Sequence, residues 1–430
     1  MPASLGQRLL WLLQRSVGTS GALNCPVIVR IRGRLDPAKL CEALTLLVAR
    51  HESLRTTFTG AAHRLTQVVH DPPPVEFDVI DLRGPSAEAE LDAALAAELG
   101  SQIDFAVWPT RTRLWQVGEH EHVLCLTMHH LVTDAWSCGL LYRELGALLD
   151  QLATGTTTLE PPIWQYRDFS AWQNEFLRGP HAVRYHEFWA RQLAGMELPA
   201  VPLGPRPPRR QRTTALVERT IGPAPTHALR GLARTERTTP FAVMLAAFYA
   251  VLHRSTGQDD LAVTSLFANR SQREVSATVG FLANMVVLRA RIPARLGFAD
   301  LVARAAGTAR DAFVHERLPY QLLPIGTSNT ATQRAEDVVF QMLGEPIKVA
   351  TRAAGLVLEG VVPRGVARFD LELAVIPHEG GMRVCLFHAA DRLAADVAGD
   401  IVDSYVALVN AVAADPGIPV AALPAGHGWS

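Results

Sequence analysis

Hydrophobic and polar positions divide this chain into short apolar runs and longer runs with helical spacing. The run HVLCLTM (122–128) is apolar and rich in branched side chains, which is typical of a buried strand. The run WSCGLLYRELGALL (136–149) carries leucines at helical spacing, which predicts an amphipathic helix. The stretch MHHLVTDAWS (128–137) therefore lies where a strand gives way to a helix, a place that often holds catalytic side chains.

Strands and helices alternate irregularly through the rest of the chain. PVIVRIRG (26–33) predicts a strand, and Asp36 followed by Pro37 predicts the start of a helix. LAVTSLF and MVVLRARI predict strands on either side of a loop that holds Arg270. Because there is no strict βαβ repeat, this order favours an α/β fold with mixed sheets over a doubly wound dinucleotide-binding fold. Neither glycine-rich nucleotide fingerprint, GxGxxG or GxxxxGK[ST], occurs in the sequence.

Two domains are expected from the length of 430 residues, since a single hydrophobic core stops growing at roughly 250–300 residues. Gly179 and Pro180 interrupt helical patterns within residues 174–190, which indicates a boundary in that stretch. We therefore assign residues 1–176 to a first domain and residues 177–430 to a second.

Charge and cysteine content limit the classes of protein to which this chain can belong. The 41 basic and 42 acidic residues balance, so no electrostatic field favours nucleic acid or an anionic membrane. The five cysteines include no CxxC pair, which is typical of reduced core residues in a cytosolic protein. There is no signal-peptide pattern and no uninterrupted apolar stretch of about 18 residues, so we expect a cytoplasmic protein without a membrane span.

The candidate chemistry lies in His129, His130 and Asp134. Neighbouring strand residues point to opposite faces, so we expect one histidine to act and the other to support it. An imidazole titrates near neutral pH and suits proton transfer, while a buried aspartate needs a cationic partner. Two alternatives stay open at this point. A histidine in a strand is often a packed, hydrogen-bonded core residue, and two histidines with a carboxylate can form a metal site, although strand alternation would separate the two rings.

Several stretches together resemble a condensation domain of nonribosomal peptide synthesis, within the superfamily of chloramphenicol acetyltransferase-like acyltransferases. The similar stretches follow the family's order nearly from end to end: GQRLLWLL, RHESLRTTF (50–58), MHHLVTDAWS against the family's HHxxxDG, YRDFSAW (166–172), TGQDDLAV with NRS and VGFLANMVVLR, and HERLPYQLL (315–323).

The resemblance implies a fold of two chloramphenicol acetyltransferase-like lobes, each a mixed-sheet α/β sandwich, arranged as a V-shaped pseudo-dimer. The first lobe (1–176) would carry the histidine motif, and the second (177–430) would complete a tunnel between the lobes. A peptidyl or acyl carrier protein would deliver the donor on its 4'-phosphopantetheine arm. The acceptor would be a carrier-bound or soluble amine or alcohol. No bound cofactor and no metal are implied, and we expect a monomer.

The resemblance also implies residue roles. His130 matches the family's active histidine, which acts as a general base or holds the attacking amine. His129 matches the supporting histidine and Asp134 the structural aspartate. The partner of Asp134 would be an arginine from the second lobe. Arg270 is the candidate because it falls where the family places that residue.

One position departs from the family pattern, and two further residues are candidates for the tunnel wall. Ala135 stands where the family has glycine; alanine would be strained at a positive φ but comfortable as the first residue of a helix, which the following pattern favours. Ser137 and Asn284 are expected to line the tunnel together with Ala135, with simple packing as the alternative for each.

The leading hypothesis is a condensation enzyme that joins a carrier-bound acyl or aminoacyl thioester to an amine or alcohol. The paired histidines argue against the heterocyclising subtype, and no DFGWG motif of the plant acyl-CoA transferases occurs. Two alternatives remain: a catalytically silent docking module that recruits a partner, and an acyltransferase that uses free acyl-CoA. The first motif begins close to Met1, from which we expect a free-standing protein.

Overall fold

The computed structural model describes residues 1–17, 21–205, 214–293, 296–325, 333–345, 347–361 and 369–424. The chain forms two compact units. The first comprises Met1–Gly179, Ala268–Ala283 and Pro346–Arg364, and the second comprises Pro180–Phe267, Asn284–Glu345 and Gly365–Ser430.

These units differ from the predicted division at residues 176 and 177. The chain first changes units between Gly179 and Pro180, within the stretch indicated by the sequence, but it later returns twice to the first unit, at residues 268–283 and 346–364. Strand pairing explains the second return, because Val357–Gly360 hydrogen-bonds to the first strand of the chain. Neither return leaves a compositional signal in the sequence.

The first unit is built on a six-stranded sheet with the order β11-β12-β1-β6-β5-β4. Numbered along the whole chain, its strands and helices are α1 (Leu5–Val17), β1 (Asn24–Arg32), α2 (Pro37–Arg50), β2 (Thr56–Thr59), β3 (Thr66–Val69), β4 (Val79–Asp81), α3 (Ala87–Gly100), β5 (Thr110–Gly118), β6 (Glu121–His129), α4 (Ala135–Thr154), α5 (Tyr166–Arg178), β11 (Lys348–Ala350) and β12 (Val357–Gly360). Strands β2 and β3 form a separate two-stranded sheet.

Strand β6 lies in the middle of the first sheet, and its side chains are buried on both faces. It pairs antiparallel with β1 on one side and with β5 on the other. Leu124, Leu126 and Met128 face the main hydrophobic core beneath α2 and α4, while Val123 and Cys125 face a smaller core beneath α3. Burial on both faces explains why the sequence of this strand is a continuous apolar run rather than an alternating one.

The local signals of helix α2 act as the sequence predicts. The Asp36 side chain accepts a hydrogen bond from the backbone nitrogen of Ala38, and Pro37 occupies the first turn, where its missing N–H leaves no bond unmade. Leu40, Leu44, Leu47 and Val48 form the buried stripe of the helix.

The second unit is built on another six-stranded sheet, with the order β7-β14-β13-β10-β8-β9. Its strands and helices are α6 (His181–Leu193), β7 (Thr214–Ile221), α7 (Pro223–Thr235), α8 (Pro240–Thr256), β8 (Asp260–Phe267), β9 (Asn284–Arg291), α9 (Phe298–Val314), β10 (Val338–Met342), β13 (Leu371–His378), β14 (Gly381–Ala389) and α10 (Ala395–Ala414). Strand β10 runs parallel to β13 and β8, and the remaining pairs are antiparallel. In the first sheet, β4 runs parallel to β5 and the other pairs are antiparallel. Both units are therefore mixed-sheet α/β structures, which confirms the predicted fold class.

Helix α10 has the length and mean hydropathy of a helix that could cross a membrane. One of its faces is buried in the second unit through Ile401, Tyr405 and Leu408, among others. The hydroxyl of Tyr405 also donates a hydrogen bond to the backbone oxygen of Met244 in α8, at 3.0 Å. The apolar character of α10 is thus explained by its packing as a core helix.

Candidate active site

The histidine pair lies at the junction between β6 and α4, where the sequence predicts it. His129 is the last residue of β6 and pairs with Asn24 of β1. His130 begins a single 3₁₀ turn that ends at Val132, and α4 begins at Ala135. The strand therefore ends between the two histidines, so their different environments arise from the turn and its hydrogen bonds rather than from strand alternation alone.

His129 is a buried, neutral side chain. Its Nδ1 accepts a hydrogen bond from the backbone nitrogen of Leu131 at 3.1 Å, so the ring proton lies on Nε2, which faces Gln14 Oε1 at 3.1 Å. Phe105 packs against the ring at a centroid distance of 4.8 Å. Burial, with the neighbouring His130 as a smaller cause, lowers the pKa of His129 to about 3. A ring that stays neutral at physiological pH and uses both nitrogens in internal bonds suits the supporting role.

His130 carries its proton on the opposite ring nitrogen. Its Nδ1 lies 2.6 Å from the backbone oxygen of Thr133. A carbonyl oxygen only accepts hydrogen bonds, so Nδ1 is the protonated nitrogen and the lone pair of the neutral ring lies on Nε2. His130 is 9% exposed, against 1% for His129. The ring of Phe281 approaches that of His130 edge to face, with centroids 4.9 Å apart.

Asp134 is the N-cap of α4 and the most heavily hydrogen-bonded carboxylate of the junction. Oδ1 accepts from the backbone nitrogen and the hydroxyl of Ser137 at 2.8 and 2.7 Å, and Oδ2 accepts from the backbone nitrogens of Leu282 and Ala283 at 3.0 Å each. Arg270 Nη2 completes the set, at 3.0 Å from Oδ1 and 3.2 Å from Oδ2. The side chains of Asp134 and Arg270 are 1% and 2% exposed, so this is a buried ion pair with every carboxylate oxygen satisfied.

The contact of Arg270 with Asp134 matches the predicted partnership, but Arg270 lies in a segment that groups with the first compact unit, whereas we expected it in the second lobe. Residues 268–283 belong to the first unit. The other guanidinium nitrogen, Nη1, donates to the backbone oxygens of Val275 and Thr278 at 3.1 and 2.9 Å, which folds this segment around the arginine. Asn269 stands beside it at φ 54, a left-handed conformation that asparagine tolerates better than most residues.

Ala135 is the first residue of α4, and its side chain is exposed. Within the described part of the chain, the residues other than glycine with positive φ are Arg237, Asn269 and Glu379. Ala135 therefore occupies an ordinary helical position, and replacing the family's glycine at this site introduces no backbone strain.

Ser137 does not fit the expected lining role, because its side chain is completely buried. Besides its bond to Asp134, its hydroxyl oxygen accepts hydrogen bonds from Arg270 Nη2 at 2.9 Å and from the backbone nitrogen of Gly280 at 3.1 Å. Ser137 is therefore part of the internal network that holds the Asp134–Arg270 pair. Ser137 thus follows the alternative of simple packing rather than the lining role.

Asn284 lies at the start of β9 in the second unit. Its Nδ2 donates to the backbone oxygens of Glu316 and Leu318 at 2.7 and 2.8 Å, and its Oδ1 accepts from the backbone nitrogen of Tyr320 at 3.0 Å. These bonds fasten the turn after α9 to the sheet. They favour the packing alternative for Asn284 as well.

No group of three or more histidine, cysteine or acidic side chains is arranged to hold a metal ion among the residues that the structure describes. The two imidazoles bond in separate directions, one to Gln14 and the other to Thr133. Cys138, which follows the motif, lies with its sulfur 3.6 Å from that of Cys25. The contact with Cys25 and burial raise the pKa of the Cys138 thiol, which disfavours a nucleophilic thiolate.

Three residues of this site escape sequence reasoning: Gln14, Thr133 and Phe281. Gln14 faces inward from α1, and Thr133 contributes through its backbone oxygen, which no side-chain pattern reveals. Phe281 belongs to the FLAN stretch, whose sequence shows an apolar loop but not the imidazole against which the ring packs.

Comparisons with known proteins show which family the chain belongs to. The family model described as "Condensation domain" matches residues 1–424. A linear gramicidin synthase protein of Brevibacillus parabrevis is 30% identical over 438 residues; the match covers 99% of this chain and 9% of that protein, so the chain spans less than a tenth of this relative.

Two solved structures are similar to this chain over nearly its whole length. The X-domain from teicoplanin biosynthesis, which has also been solved in complex with OxyB, is 26% identical with a TM-score of 0.84, and the match covers 98% of this chain and 97% of the X-domain. The first condensation domain of the calcium-dependent antibiotic synthetase has a TM-score of 0.84 at 20% identity, with 98% of both chains covered, and supports the fold. The chain has the two-lobed, chloramphenicol acetyltransferase-like fold of these structures, and it belongs to the condensation domain family of nonribosomal peptide synthesis.

Proposed function

We propose that this chain is an active condensation enzyme that forms an amide or ester from a carrier-bound acyl or aminoacyl thioester and an amine or alcohol. Condensation domains of nonribosomal peptide synthesis use substrates held on the phosphopantetheine arms of carrier proteins. The observation that carries the proposal is the hydrogen bond between His130 Nδ1 and the Thr133 oxygen, because it leaves the basic lone pair of the neutral imidazole on Nε2.

In the proposed reaction, His130 Nε2 accepts the proton of the acceptor amine or alcohol as its nitrogen or oxygen attacks the thioester carbonyl carbon. The new C–N or C–O bond forms, the C–S bond breaks, and the proton passes from the imidazolium to the departing thiolate. The products are the amide or ester and the free thiol of the carrier arm. The Thr133 oxygen stabilises the transient imidazolium through the Nδ1 proton, so the ring needs no reorientation between accepting and returning a proton.

His129, Asp134 and Arg270 take structural roles in this proposal. His129 stays neutral and ties the end of β6 to α1 through Gln14. The buried Asp134–Arg270 pair closes the first turn of α4 and binds it to residues 282 and 283. These contacts hold the turn from which the His130 side chain projects.

A second candidate function is a docking module without catalytic activity. It is favoured by the likeness to the X-domain from teicoplanin biosynthesis, whose complex with OxyB has been solved. The paired histidines, the tautomer of His130 and the satisfied Asp134 carboxylate favour catalysis, because a module that only binds a partner has no need for an oriented base.

The test is intact-mass analysis of acyl-loaded carrier proteins incubated with the protein and a panel of amines and alcohols. We expect loss of the acyl group from the carrier and a new amide or ester, and we expect His130→Ala to reduce turnover by about 10²-fold or more, as loss of a general base does. The matched control is His120→Ala, a half-exposed histidine in the β5–β6 turn, which should keep wild-type turnover.

Both variants should remain folded, as judged by circular dichroism. Turnover that is unchanged in a folded His130→Ala variant would refute the catalytic proposal. Absence of turnover with every carrier, together with tight binding of a partner protein, would favour the docking module. Replacing the loaded carrier with acyl-CoA in the same assay separates a carrier-dependent enzyme from one that uses the free coenzyme.

A further inference from the structure

Two cysteine thiols are in contact where β1 meets the first turn of α4. Cys25 is the second residue of β1, and Cys138 is the fourth residue of α4. Their sulfurs lie 3.6 Å apart, which is van der Waals contact, and no disulfide joins them. The proposed reaction uses neither thiol, although Cys138 directly follows the histidine motif in the sequence.

The contact needs only a small change to become a covalent bond. A disulfide has an S–S bond of about 2.05 Å, so the two sulfurs have to approach each other by about 1.5 Å. The backbone on each side is fixed: Cys25 pairs with Met128 of β6, and the Cys138 nitrogen donates to the Asp134 oxygen at 2.9 Å. Each thiol is therefore held beside a reaction partner, which gives the pair a high effective concentration.

We infer that Cys25 and Cys138 form a reversible disulfide when the protein meets a peroxide, and that this bond lowers the activity of the adjacent site. The thiolate of one cysteine attacks a peroxide oxygen, the O–O bond breaks, and a sulfenic acid and hydroxide form. The thiol of the other cysteine attacks the oxidised sulfur, so that the S–S bond forms and the S–O bond breaks. With hydrogen peroxide, two thiols and one peroxide give one disulfide and two water molecules, and two electrons pass from sulfur to oxygen.

A small oxidant suits this pair, because Cys25 is 5% exposed and Cys138 is 9% exposed, the same fraction as His130. The contact with Cys25 and burial raise the pKa of the Cys138 thiol, so the reactive thiolate is scarce and oxidation should be slow. A phosphine reductant restores both thiols: the phosphine takes up the oxygen of a water molecule as it is oxidised, and the two protons of that water return to the sulfurs.

The disulfide would act on the histidine motif through Thr133. Cys138 Sγ lies 3.8 Å from Thr133 Oγ1, and the backbone oxygen of Thr133 lies 2.6 Å from His130 Nδ1. A sulfur that moves toward Cys25 draws away from Thr133 and changes the packing of the turn between β6 and α4. A misplacement of roughly 1 Å can cost about 100-fold in rate, so we expect kcat to fall by about tenfold or more in the disulfide form. This fall rests on the proposed function, whereas formation of the disulfide does not.

The first measurement is intact-mass analysis and non-reducing peptide mapping of the full chain after treatment with hydrogen peroxide. We expect the loss of two hydrogen atoms, a cross-linked peptide pair that contains Cys25 and Cys138, and recovery of the starting mass with the phosphine. Cys25→Ala should form no such pair. The matched control is Cys41→Ala, which removes a half-buried cysteine of α2 and should still form the cross-link. Absence of the cross-link in the parent protein, once the peroxide has been raised until Cys41 is oxidised, would overturn the inference.

The second measurement is turnover with a loaded carrier and an acceptor that the parent protein uses, after the peroxide has been removed. The parent protein should lose turnover on oxidation and regain it with the phosphine, which leaves the thioester of the carrier intact. Cys25→Ala should have the turnover of the reduced parent both before and after peroxide. If circular dichroism shows that Cys25→Ala does not fold, Cys25→Ser takes its place.

The two measurements separate this inference from the proposed function. A cross-linked protein with the kcat of the reduced protein would refute the regulatory role of the disulfide. An equal loss of turnover in the parent protein and in Cys25→Ala would refute it as well, because that loss arises without the cross-link. A reduced parent protein without turnover on any carrier would contradict the proposed function, and the peptide map would still decide whether the disulfide forms.

Discussion

Replacing Arg270 by methionine tests the buried ion pair beneath the histidine motif. Methionine matches the arginine side chain only as far as Nε, so the change removes the charge and the donors while keeping the apolar stem. It leaves Asp134 with four donors, from Ser137, Leu282 and Ala283. It also leaves the backbone oxygens of Val275 and Thr278 without the guanidinium.

The expected loss of stability in Arg270→Met follows from the burial of both side chains. Both side chains are at most 2% exposed, so solvent does not screen the carboxylate once its partner is gone. Removing one partner of a buried pair costs about 3–5 kcal/mol. Because the remaining donors still stabilise the Asp134 carboxylate, we expect the lower end, about 3 kcal/mol in the free energy of unfolding of the first unit.

The assay is urea denaturation combined with hydrogen–deuterium exchange of peptides from β6 and α4, which report on the first unit separately from the second. Asp134→Asn and the double variant complete a cycle, whose coupling free energy should be about 0.5–3 kcal/mol. The control is Arg219→Met, because the Arg219–Asp403 pair is about half exposed and its loss should cost no more than about 1 kcal/mol.

An equal loss of unfolding free energy in Arg270→Met and Arg219→Met would show that burial of the Asp134–Arg270 pair does not affect stability. A coupling free energy near zero would show that the two side chains stabilise the unit independently. Either result would refute the structural role assigned to the pair, even if activity also fell.

Two further predictions concern His129 and Gly280. Because the pKa of His129 is lowered to about 3 by burial, the unfolded chain binds one more proton than the folded chain between that value and its ordinary pKa, so stability falls as the pH falls through this window. His129→Gln should lower the slope of unfolding free energy against pH by about 1.4 kcal/mol per pH unit. Urea denaturation between about pH 6 and about pH 4 measures this slope, and equal slopes for the parent protein and the variant would contradict the prediction. Gly280→Ala should destabilise the first unit by about 3 kcal/mol or more, because the new Cβ would lie 1.9 Å from Tyr166 Cδ2. The control is Gly84→Ala, which has open space around it and should change stability little. Equal melting temperatures for the two variants would argue against this close packing.

Local signals along the chain were sufficient for many of the individual elements. The capping of α2 by Asp36 and of α8 by Thr239, each followed by proline, marks where these helices begin. Each signal depends on backbone groups within three or four residues, so it survives without knowledge of the fold. The same holds for the junction between β6 and α4, where a continuous apolar run passes directly into helical spacing around the histidine pair.

The order of the motifs also indicated the Asp134–Arg270 partnership, through resemblance rather than through any physical signal in the residues. The structure places Arg270 on a segment that rejoins the first unit, where Val275 and Thr278 fold around its guanidinium. Ser137, expected to line a tunnel, is instead buried beneath Gly280. The Asp134–Arg270 and Ser137–Gly280 contacts each join residues more than a hundred positions apart, which no local pattern encodes.

The sequence by itself determined the class of fold, the strand-to-helix junction and the pair of imidazoles placed there, because these follow from short-range periodicity and capping. Only the tertiary structure decided which ring nitrogen carries the proton on each imidazole. The reason is that the tautomer is set by the nearest acceptor or donor: Gln14 with the Leu131 amide for His129, and the Thr133 oxygen for His130. The position of each partner is known only once the strand, the turn and α1 have packed together.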